Sequence, residues 1–302
     1  MTVVIALLAN ALVAVAKSIA AIVTGSASMV AEAAHSWADA GNEIFLLIAD
    51  RRSAKPKDRR HPLGYGREAY VWSLFAAVGI FTAGAVVSVM HGVQELFDPE
   101  PVSDPVVAYL VLGVAAVLEG ASFAQALVSA RRAARERGVR TLRHVLDGSD
   151  STLRAVFAED FAALVGLAIA GTAIGVHQAT GDAVWDAAGS ILIGLLLAVV
   201  AVILIDRNRR FLVGATVSPA IRRSVGRDLL AFEEVERVTY LHLEYVGPGR
   251  VFLVADVDLT GNRDERDVAE RLRHVEESLE ERDHVETAVL GLSVDDEPSI
   301  GF

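Results

Sequence analysis

Residues 28–50 read SMVAEAAHSWADAGNEIFLLIAD, and this stretch decides the fold because it is long and apolar enough to cross a lipid bilayer as a helix. About 20 such residues span the roughly 30 Å hydrocarbon layer. Further runs of this kind lie near 2–24, 69–96, 105–130, 151–177 and 184–206. The sequence therefore predicts an all-α, six-helix transmembrane bundle over residues 1–206, in which 28–50 and 151–177 are the least apolar spans.

The overall composition excludes several classes of protein. Of the 302 residues, 53% are hydrophobic and 22% are charged, which is more apolar than one soluble core requires. The chain has no cysteine, so disulfides, thiolate metal sites and Cys nucleophiles are excluded. The formal net charge of -11 disfavours binding to nucleic acid, which needs a cationic surface.

The basic residues of the connections predict the orientation of the bundle. Lys and Arg cluster after the second, fourth and sixth spans, whereas the connections at 24–28, 97–104 and 177–186 contain none. Because basic residues in short connections stay on the cytoplasmic side, both termini are predicted to be cytoplasmic. We expect the plasma membrane of a prokaryote as the location.

Residues 207–302 are charged throughout and contain no run long enough to cross a bilayer. Alternating apolar residues and turn signals predict elements in the order helix, strand, strand, helix, strand. Their predicted bounds are 221–233, 238–245, 250–259, 264–281 and 285–294. This order is typical of a small α+β domain with helices on one face of a sheet.

The 28–50 stretch also carries polar side chains that membrane spans rarely contain. Glu32, His35, Asp39 and Asn42 follow at intervals of three or four, and Glu43 comes next, so these residues lie along one stripe of the helix. Ionisable groups in a span are costly and are therefore functional candidates. His35 and Asp39 are one turn apart, and their nitrogen and oxygen ligands suit zinc and other first-row divalent metals.

A second pair of candidates lies in the fifth span. Glu159 and Asp160 are adjacent and point about 100° apart, so both reach one ion only with a suitable backbone, and Asp160 is the stronger candidate. The alternative is that His35 and Asp39 form a polar contact between helices without an ion. The second acidic pair disfavours that alternative, because too many like charges would stay unneutralised.

Other polar residues have two interpretations each. Glu119 in the fourth span either carries a proton or is a protonated carboxyl between helices. Lys17 and Asn10 are predicted to be packing or counter-charge groups. The acids of the outer connections either attract departing cations or are ordinary solvated residues; they are Asp98, Glu100, Asp104, Asp182 and Asp186.

Two stretches resemble signatures of the cation diffusion facilitator family, namely residues 25–36 (GSASMVAEAAHS) and 61–68 (HPLGYGRE). Further matching residues are Asp39, Asn42, Glu159, Asp160, Trp185 and Asp186. The last four resemble one branch, which has His-x3-Asp in the second span and Glu-Asp in the fifth. The resemblance covers essentially the whole chain and implies six spans with a cytoplasmic, ferredoxin-like α+β domain. It also implies a homodimeric antiporter that exports divalent metal, usually zinc, in exchange for protons.

The resemblance also implies a ligand set. In the family, the central metal site takes two residues from the second span and two from the fifth. The first pair maps onto His35 and Asp39, and Asp160 maps onto the second residue of the other pair. The remaining position, often His, is Val156 here and cannot bind metal.

The missing ligand leaves alternatives open for the metal. Glu159, Asn42 or water is expected to complete the shell in place of Val156. A shell with more oxygen makes manganese or iron an alternative to zinc. The transported cation is the expected ligand, and no prosthetic group is expected.

Two further metal sites of the family are less complete in this sequence. The family pattern Asp-x2-His-x3-His after the second span is Asp58, His61 and Tyr65 here, and a phenol binds metal poorly at neutral pH. In the soluble domain, His242 matches one family ligand without convincing companions, so a dimerisation module is expected. Residues that leave room for weak binding there are His274, His284, Asp295 and Asp296.

The expected mechanism is a competition between metal and protons for one site, because a metal ligand must first lose its proton. Histidine suits this role, since its ordinary pKa of about 6.5 lies near working pH. A passive cation channel is a rival interpretation. An intramembrane hydrolase is disfavoured, because the sequence contains neither His-Glu-x-x-His nor Gly-x-Ser-x-Gly.

Overall fold

A computed structural model of the chain describes residues 2–99, 104–136, 138–282, 284–294 and 296–302. The chain forms two compact units. The first consists of Met1–Asp50 and Tyr70–Arg209, and the second of Arg51–Ala69 and Arg210–Phe302. The second unit therefore includes the connection that follows the second predicted span.

Up to residue 213, the regular elements of the described chain are helices. The helices are α1 (Thr2–Thr24), α2 (Ala27–Ser53), α3 (Glu68–Ala76), α4 (Thr82–Phe97), α5 (Pro105–Glu136), α6 (Thr141–Asp147), α7 (Ser151–Thr180) and α8 (Val184–Val213). A π-helical turn at Ala77–Phe81 joins α3 to α4, so the two continue as one long helix.

Among the described residues, four helical segments are long and apolar enough to cross a membrane: Leu7–Thr24, Glu68–Phe97, Pro105–Arg135 and Val184–Val213. They agree with four of the six predicted spans. Helices α2 and α7 contain 27 and 30 residues, which correspond to about 40 and 45 Å. Both are long enough, but their ionisable side chains make them less apolar, so the second and fifth spans stay predictions.

Helices α4 and α8 approach each other through small residues. A Cβ added to Gly92 would lie 2.8 Å from the carbonyl oxygen of Ala187, and one added to Gly194 would meet the α4 backbone at 2.9 Å. Ser190 Oγ donates a hydrogen bond of 2.8 Å to the carbonyl oxygen of Ser88. Membrane helices commonly pack in this way, because small side chains let two backbones meet.

The π-helical turn has buried ends and an exposed middle, since Val78 is 52% exposed. Ala77 and Phe81, its first and last residues, are fully buried. Thr82 Oγ1 donates a hydrogen bond of 3.3 Å to the carbonyl oxygen of Ala77. The hydroxyl therefore bonds a carbonyl of the widened turn.

The second unit contains a three-stranded sheet. Its elements are α9 (Pro219–Leu230), β1 (Val235–Gly247), β2 (Arg250–Leu259), α10 (Glu265–Glu280) and β3 (Val285–Leu292). The strand order is β1-β2-β3, with β1 antiparallel and β3 parallel to β2. The predicted succession of helices and strands is confirmed, while the finer ferredoxin-like label stays a prediction.

Local sequence explains where the two helices of this unit begin. Ser218 caps α9 and precedes Pro219 at the first helical position, where proline is favoured. The Asp264 carboxylate caps α10 by accepting a 3.0 Å hydrogen bond from the amide of Asp267. Both helices pack on a core that includes Leu229, Leu253 and Leu279.

The connection at 51–69 is tied to the strands of the second unit. The Lys57 ammonium donates to the carbonyl oxygen of Glu286 and, at 3.0 Å, to Thr287 Oγ1. Arg67 forms an ion pair with Glu244 on β1. These contacts join the connection to the sheet. The predicted domain boundary between residues 206 and 207 stays a prediction.

Candidate metal centre

His35 and Asp39 lie one turn apart on α2, with 3.5 Å between His35 Nε2 and Asp39 Oδ1. Both side chains are buried, with 0% and 3% of their surface exposed. Among the described residues, neither ring nitrogen of His35 nor Oδ1 of Asp39 has a hydrogen-bond partner. Buried polar atoms are ordinarily paired, so this pair presents ligand atoms that the protein itself does not use.

Glu159 and Asp160 are both buried on α7, but they have different partners. Asn42 Nδ2 donates a 2.6 Å hydrogen bond to Glu159 Oε2, which links α7 to α2. Ser122 Oγ on α5 donates a 2.8 Å hydrogen bond to Asp160 Oδ2. The adjacent acids therefore contact two different helices, as their angular separation predicts.

The predicted ligands do not form a closed shell. Within the described part of the chain, no three side chains of His, Cys, Asp or Glu are grouped closely enough to hold a metal ion. Asp39 is nevertheless within electrostatic range of Asp160 and of Glu119 on α5. Val156 packs against an apolar cluster and provides no ligand atom, in agreement with the sequence.

Helix α1 supplies polar partners to α2. Lys17 Nζ forms an ion pair of 2.8 Å with Glu32 Oε2, and both side chains are fully buried. Asn10 Nδ2 donates a 2.8 Å hydrogen bond to Glu43 Oε1. Lys17 is therefore the counter-charge of Glu32, one of the two roles predicted for it.

Helix α7 passes directly beside the polar stripe of α2 at Gly166. A Cβ added to Gly166 would collide with Glu32 Oε1 and would lie 3.5 Å from His35 Nδ1. A side chain at this position would therefore displace the Glu32 carboxylate, which lies with the His35 ring against the α7 backbone.

The structure corrects the prediction for one acid of the outer connections. Asp186 is fully buried in the first turn of α8. It is therefore not solvated, and it does not attract departing cations at the surface. Its carboxylate accepts hydrogen bonds from Ser26 Oγ at 2.9 Å, Ala27 N at 2.6 Å and Ser28 N at 3.3 Å. It satisfies the orphan donors at the start of α2, which is the physical role of a helix cap.

The other outer acids fit the predicted exposure where they are described. Asp98, Asp104 and Asp182 are exposed. Glu100 lies outside the described residues. The attraction of departing cations by these acids stays a prediction.

Asp58, His61 and Tyr65 lie together in the connection after α2. Tyr65 Oη donates 2.7 Å to Asp58 Oδ2, and the amides of Arg60 and His61 each donate 2.8 Å to Asp58 Oδ1. The hydrogen bond from Tyr65, followed by that from the His61 amide, lowers the pKa of Asp58 to about 2, and the pKa of Tyr65 is raised. Both carboxylate oxygens are thus engaged in shaping the turn, and the predicted second metal site stays a prediction.

The histidines of the second unit have acidic neighbours but no full ligand set. His242 Nε2 is 3.7 Å from Glu244 Oε2, and His274 Nε2 is 3.7 Å from Glu234 Oε1. His284 and Asp296 are exposed, and Asp295 lies outside the described residues. Over the residues described, no group of three potential ligands forms in this unit either.

The sequence did not predict the hydrogen-bond partners of Asp160 and Asp186, which are Ser122 and the start of α2. Ser122 follows Glu119 by three residues and so shares its helix face, which was a usable signal. The capping role of Asp186 had no local signal, because Ser26 lies 160 positions away.

Long apolar helices that bury ionisable pairs between them define an integral membrane protein with a polar interior. Residues 3–213 match the family model of the cation efflux transmembrane domain. The chain therefore belongs to the cation efflux, or cation diffusion facilitator, family.

Curated relatives support the same assignment. The chain is 36% identical over 233 residues to metal tolerance protein C4 of Arabidopsis thaliana, covering 77% of this chain and 51% of the relative. It is 33% identical over 285 residues to the human mitochondrial proton-coupled zinc antiporter SLC30A9, covering 94% of this chain and 50% of the relative. The chain spans about half the length of these relatives.

The family confirms an integral membrane location but not the compartment. The expected plasma membrane of a prokaryote gains no support from a relative that is named as mitochondrial. The family assignment likewise does not distinguish the predicted branch with His-x3-Asp and Glu-Asp from other members.

Proposed function

We propose that this chain exports a divalent metal cation, with zinc as the first candidate, in exchange for protons. The observation that carries the proposal is the buried His35 and Asp39 pair, whose ring nitrogens and carboxylate Oδ1 have no hydrogen-bond partner among the described residues. Nitrogen and oxygen ligands in this combination suit zinc. A relative named a proton-coupled zinc antiporter supports the choice of ion and the coupling.

The proposed site uses His35 and Asp39 from α2 and Asp160 from α7. Glu159 or Asn42 supplies the fourth ligand in place of Val156. This assignment includes the branch of the family with His-x3-Asp and Glu-Asp. Glu159, Asn42 or water would each supply oxygen where the family often has a histidine nitrogen, so the shell is richer in oxygen and manganese or iron is the alternative cargo.

Completing the shell requires two local rearrangements. Asp160 exchanges its hydrogen bond from Ser122 for the ion, and Glu159 or Asn42 gives up the bond that joins them. Each such bond contributes about 1 kcal/mol net. This is small beside the free energy of metal binding, so the loss of these two hydrogen bonds does not prevent the ion from binding.

Proton coupling follows from the chemistry of the ligands. A histidine or carboxylate must be deprotonated to bind metal, so binding at His35, Asp39 and Asp160 releases protons, and reprotonation expels the ion. Alternating access of one such site to the two sides of the membrane exchanges metal for protons. The proposal includes six spans, cytoplasmic termini and a homodimer.

Flux measurements in reconstituted vesicles test the proposal. An internal zinc dye and an internal pH dye should report opposite movements of zinc and protons for the unaltered chain. His35→Ala and Asp160→Ala should each reduce zinc-dependent proton flux by about a hundredfold, since a ligand is lost. His91→Ala, which removes a half-buried histidine of α4, is the matched control and should retain flux.

Two results would overturn the proposal. Retained flux in both His35→Ala and Asp160→Ala would refute the site. Zinc movement without counter-movement of protons would instead indicate a passive channel. A panel of zinc, manganese, iron, cobalt and cadmium at two pH values then identifies the cargo.

A further inference from the structure

A buried ion pair lies next to the proposed site and has no part in ligating the metal. Lys17 on α1 and Glu32 on α2 are joined by 2.8 Å between Nζ and Oε2, with side chains 1% and 0% exposed. Burying such a pair costs free energy that its attraction does not necessarily repay. The packing of α1 on α2 alone therefore does not explain it, since an apolar pair of similar volume would pack at least as well.

Glu32 connects this ion pair to His35. One of its oxygens accepts from Lys17, whereas the other, Oε1, has no hydrogen-bond partner among the described residues. That second oxygen and His35 Nδ1 both lie against Gly166 of α7. The ion pair thus ends beside the proposed ligand and not at a remote helix contact.

The signs of the surrounding charges give the pair a specific effect. The charged groups that interact electrostatically with Asp39 include Glu119 on α5, Lys17 on α1, Glu32 on α2, and Glu159 and Asp160 on α7. Lys17 is the single cation among these five. Without it, the acids around the site would attract a divalent ion with one more net negative charge.

We propose that Lys17 cancels the charge of Glu32 beside the transport site, so that Glu32 adds no net attraction for the cation and the cation can be released. The inference rests on the proposed function and assigns Lys17 and Glu32 as positioning residues that do not touch the metal. An exporter must bind its cargo tightly enough to load and weakly enough to unload. A fixed internal cation provides that balance without occupying a coordination position.

Single substitutions should change zinc affinity in opposite directions. Lys17→Met leaves Glu32 unneutralised, so zinc should bind more tightly and leave more slowly, which lowers both KM and kcat. Glu32→Gln leaves the Lys17 cation unneutralised, so zinc should bind more weakly. Glu32 and Asp39 are about 10 Å apart along the helix axis, and Coulomb's law for a divalent ion at an effective dielectric of about 20 gives changes of about 300-fold.

The double variant provides the decisive comparison. Lys17→Met combined with Glu32→Gln restores the net charge, so the zinc Kd should return to within about threefold of the original value. Binding is measured by calorimetry with zinc chloride on the purified full chain in detergent. Transport kinetics are measured in vesicles with the same variants.

Two control variants separate charge from packing. Lys17→Arg keeps the charge and should keep the zinc Kd. Asn10→Leu removes another hydrogen bond between α1 and α2 without changing a charge, and should lower thermal stability while leaving the Kd unchanged. If Glu32→Gln fails to fold, Lys17→Met against Lys17→Arg still tests the sign of the effect.

The inference is wrong if Lys17→Met and Glu32→Gln shift the Kd in the same direction, or if neither shifts it. Either result would leave the ion pair as a structural contact. Such a failure is distinguishable from failure of the proposed function, which is decided by flux in His35→Ala and Asp160→Ala.

Discussion

Two His–Asp pairs of this chain have similar sequence spacing but opposite surroundings. His35 and Asp39 are buried, and their ligand atoms lack hydrogen-bond partners among the described residues. Asp58 and His61 are exposed, and both oxygens of Asp58 already accept hydrogen bonds. The difference teaches that spacing alone does not identify a metal ligand; the atom must also be free to bind.

The largest expected effect compares the two aspartates directly. Asp39→Asn should reduce zinc flux in vesicles by about a hundredfold, because the site loses a charged ligand. Asp58→Asn should leave flux within about twofold, as is usual for exposed positions. Equal losses in the two variants would show that burial and free ligand atoms do not distinguish the pairs.

Asp186 sharpens the comparison because it is buried like Asp39 but has its hydrogen bonds satisfied. Asp186→Ala should reduce stability by about 2–4 kcal/mol, since buried donors at the start of α2 are left unpaired. Asp182→Ala, which removes an exposed carboxylate that accepts a hydrogen bond from the amide of Val184 at the start of α8, should cost about 0.5–1 kcal/mol. Unfolding in detergent, followed by circular dichroism, measures both. The zinc Kd of folded Asp186→Ala protein should be unchanged, and a large change would make Asp186 part of the transport site.

The smallest expected effect concerns the exposed pair. The Tyr65 hydroxyl is the main reason that the pKa of Asp58 is about 2, so Tyr65→Phe should raise that pKa towards the ordinary value of about 3.9. Because the folded pKa is lowered, the stabilisation of the turn is present above about pH 4 and is lost as the pH falls towards 2. Carbon-13 NMR of labelled aspartate measures the shift. An unchanged pKa would show that the backbone amides dominate.

The elements of the fold were largely predictable because they depend on local patterns. The apolar runs locate the long helices, and alternation around the Gly247–Gly249 turn locates β1 and β2. The π-helical turn at Ala77–Phe81 was not predicted, because it does not interrupt the apolar composition around it. The short α6 was not predicted, because it lies in a charged connection between two apolar runs. Helices α2 and α7 are long enough to cross a membrane. Their ionisable side chains lower their mean hydropathy below that of the other spans.

The site was predictable in its residues but not in its contacts. The spacing of His35 and Asp39 on one helix fixes their proximity. The bonds of Asn42 to Glu159 and of Lys57 to Glu286 connect positions 117 and 229 residues apart, and no local pattern specifies them. For this reason the sequence could name candidate ligands while leaving open which of them are already engaged.

The π-helical turn at Ala77–Phe81 has a consequence for how one helix serves two neighbours. One additional residue in a turn rotates everything after it by about 100°. Tyr70, which donates to the carbonyl oxygen of Ser149, precedes the turn, whereas Ser88 and Gly92, which meet α8, follow it. Deleting a single residue there would restore a regular α-helix but rotate its two halves relative to each other, so that only one half could keep its partner.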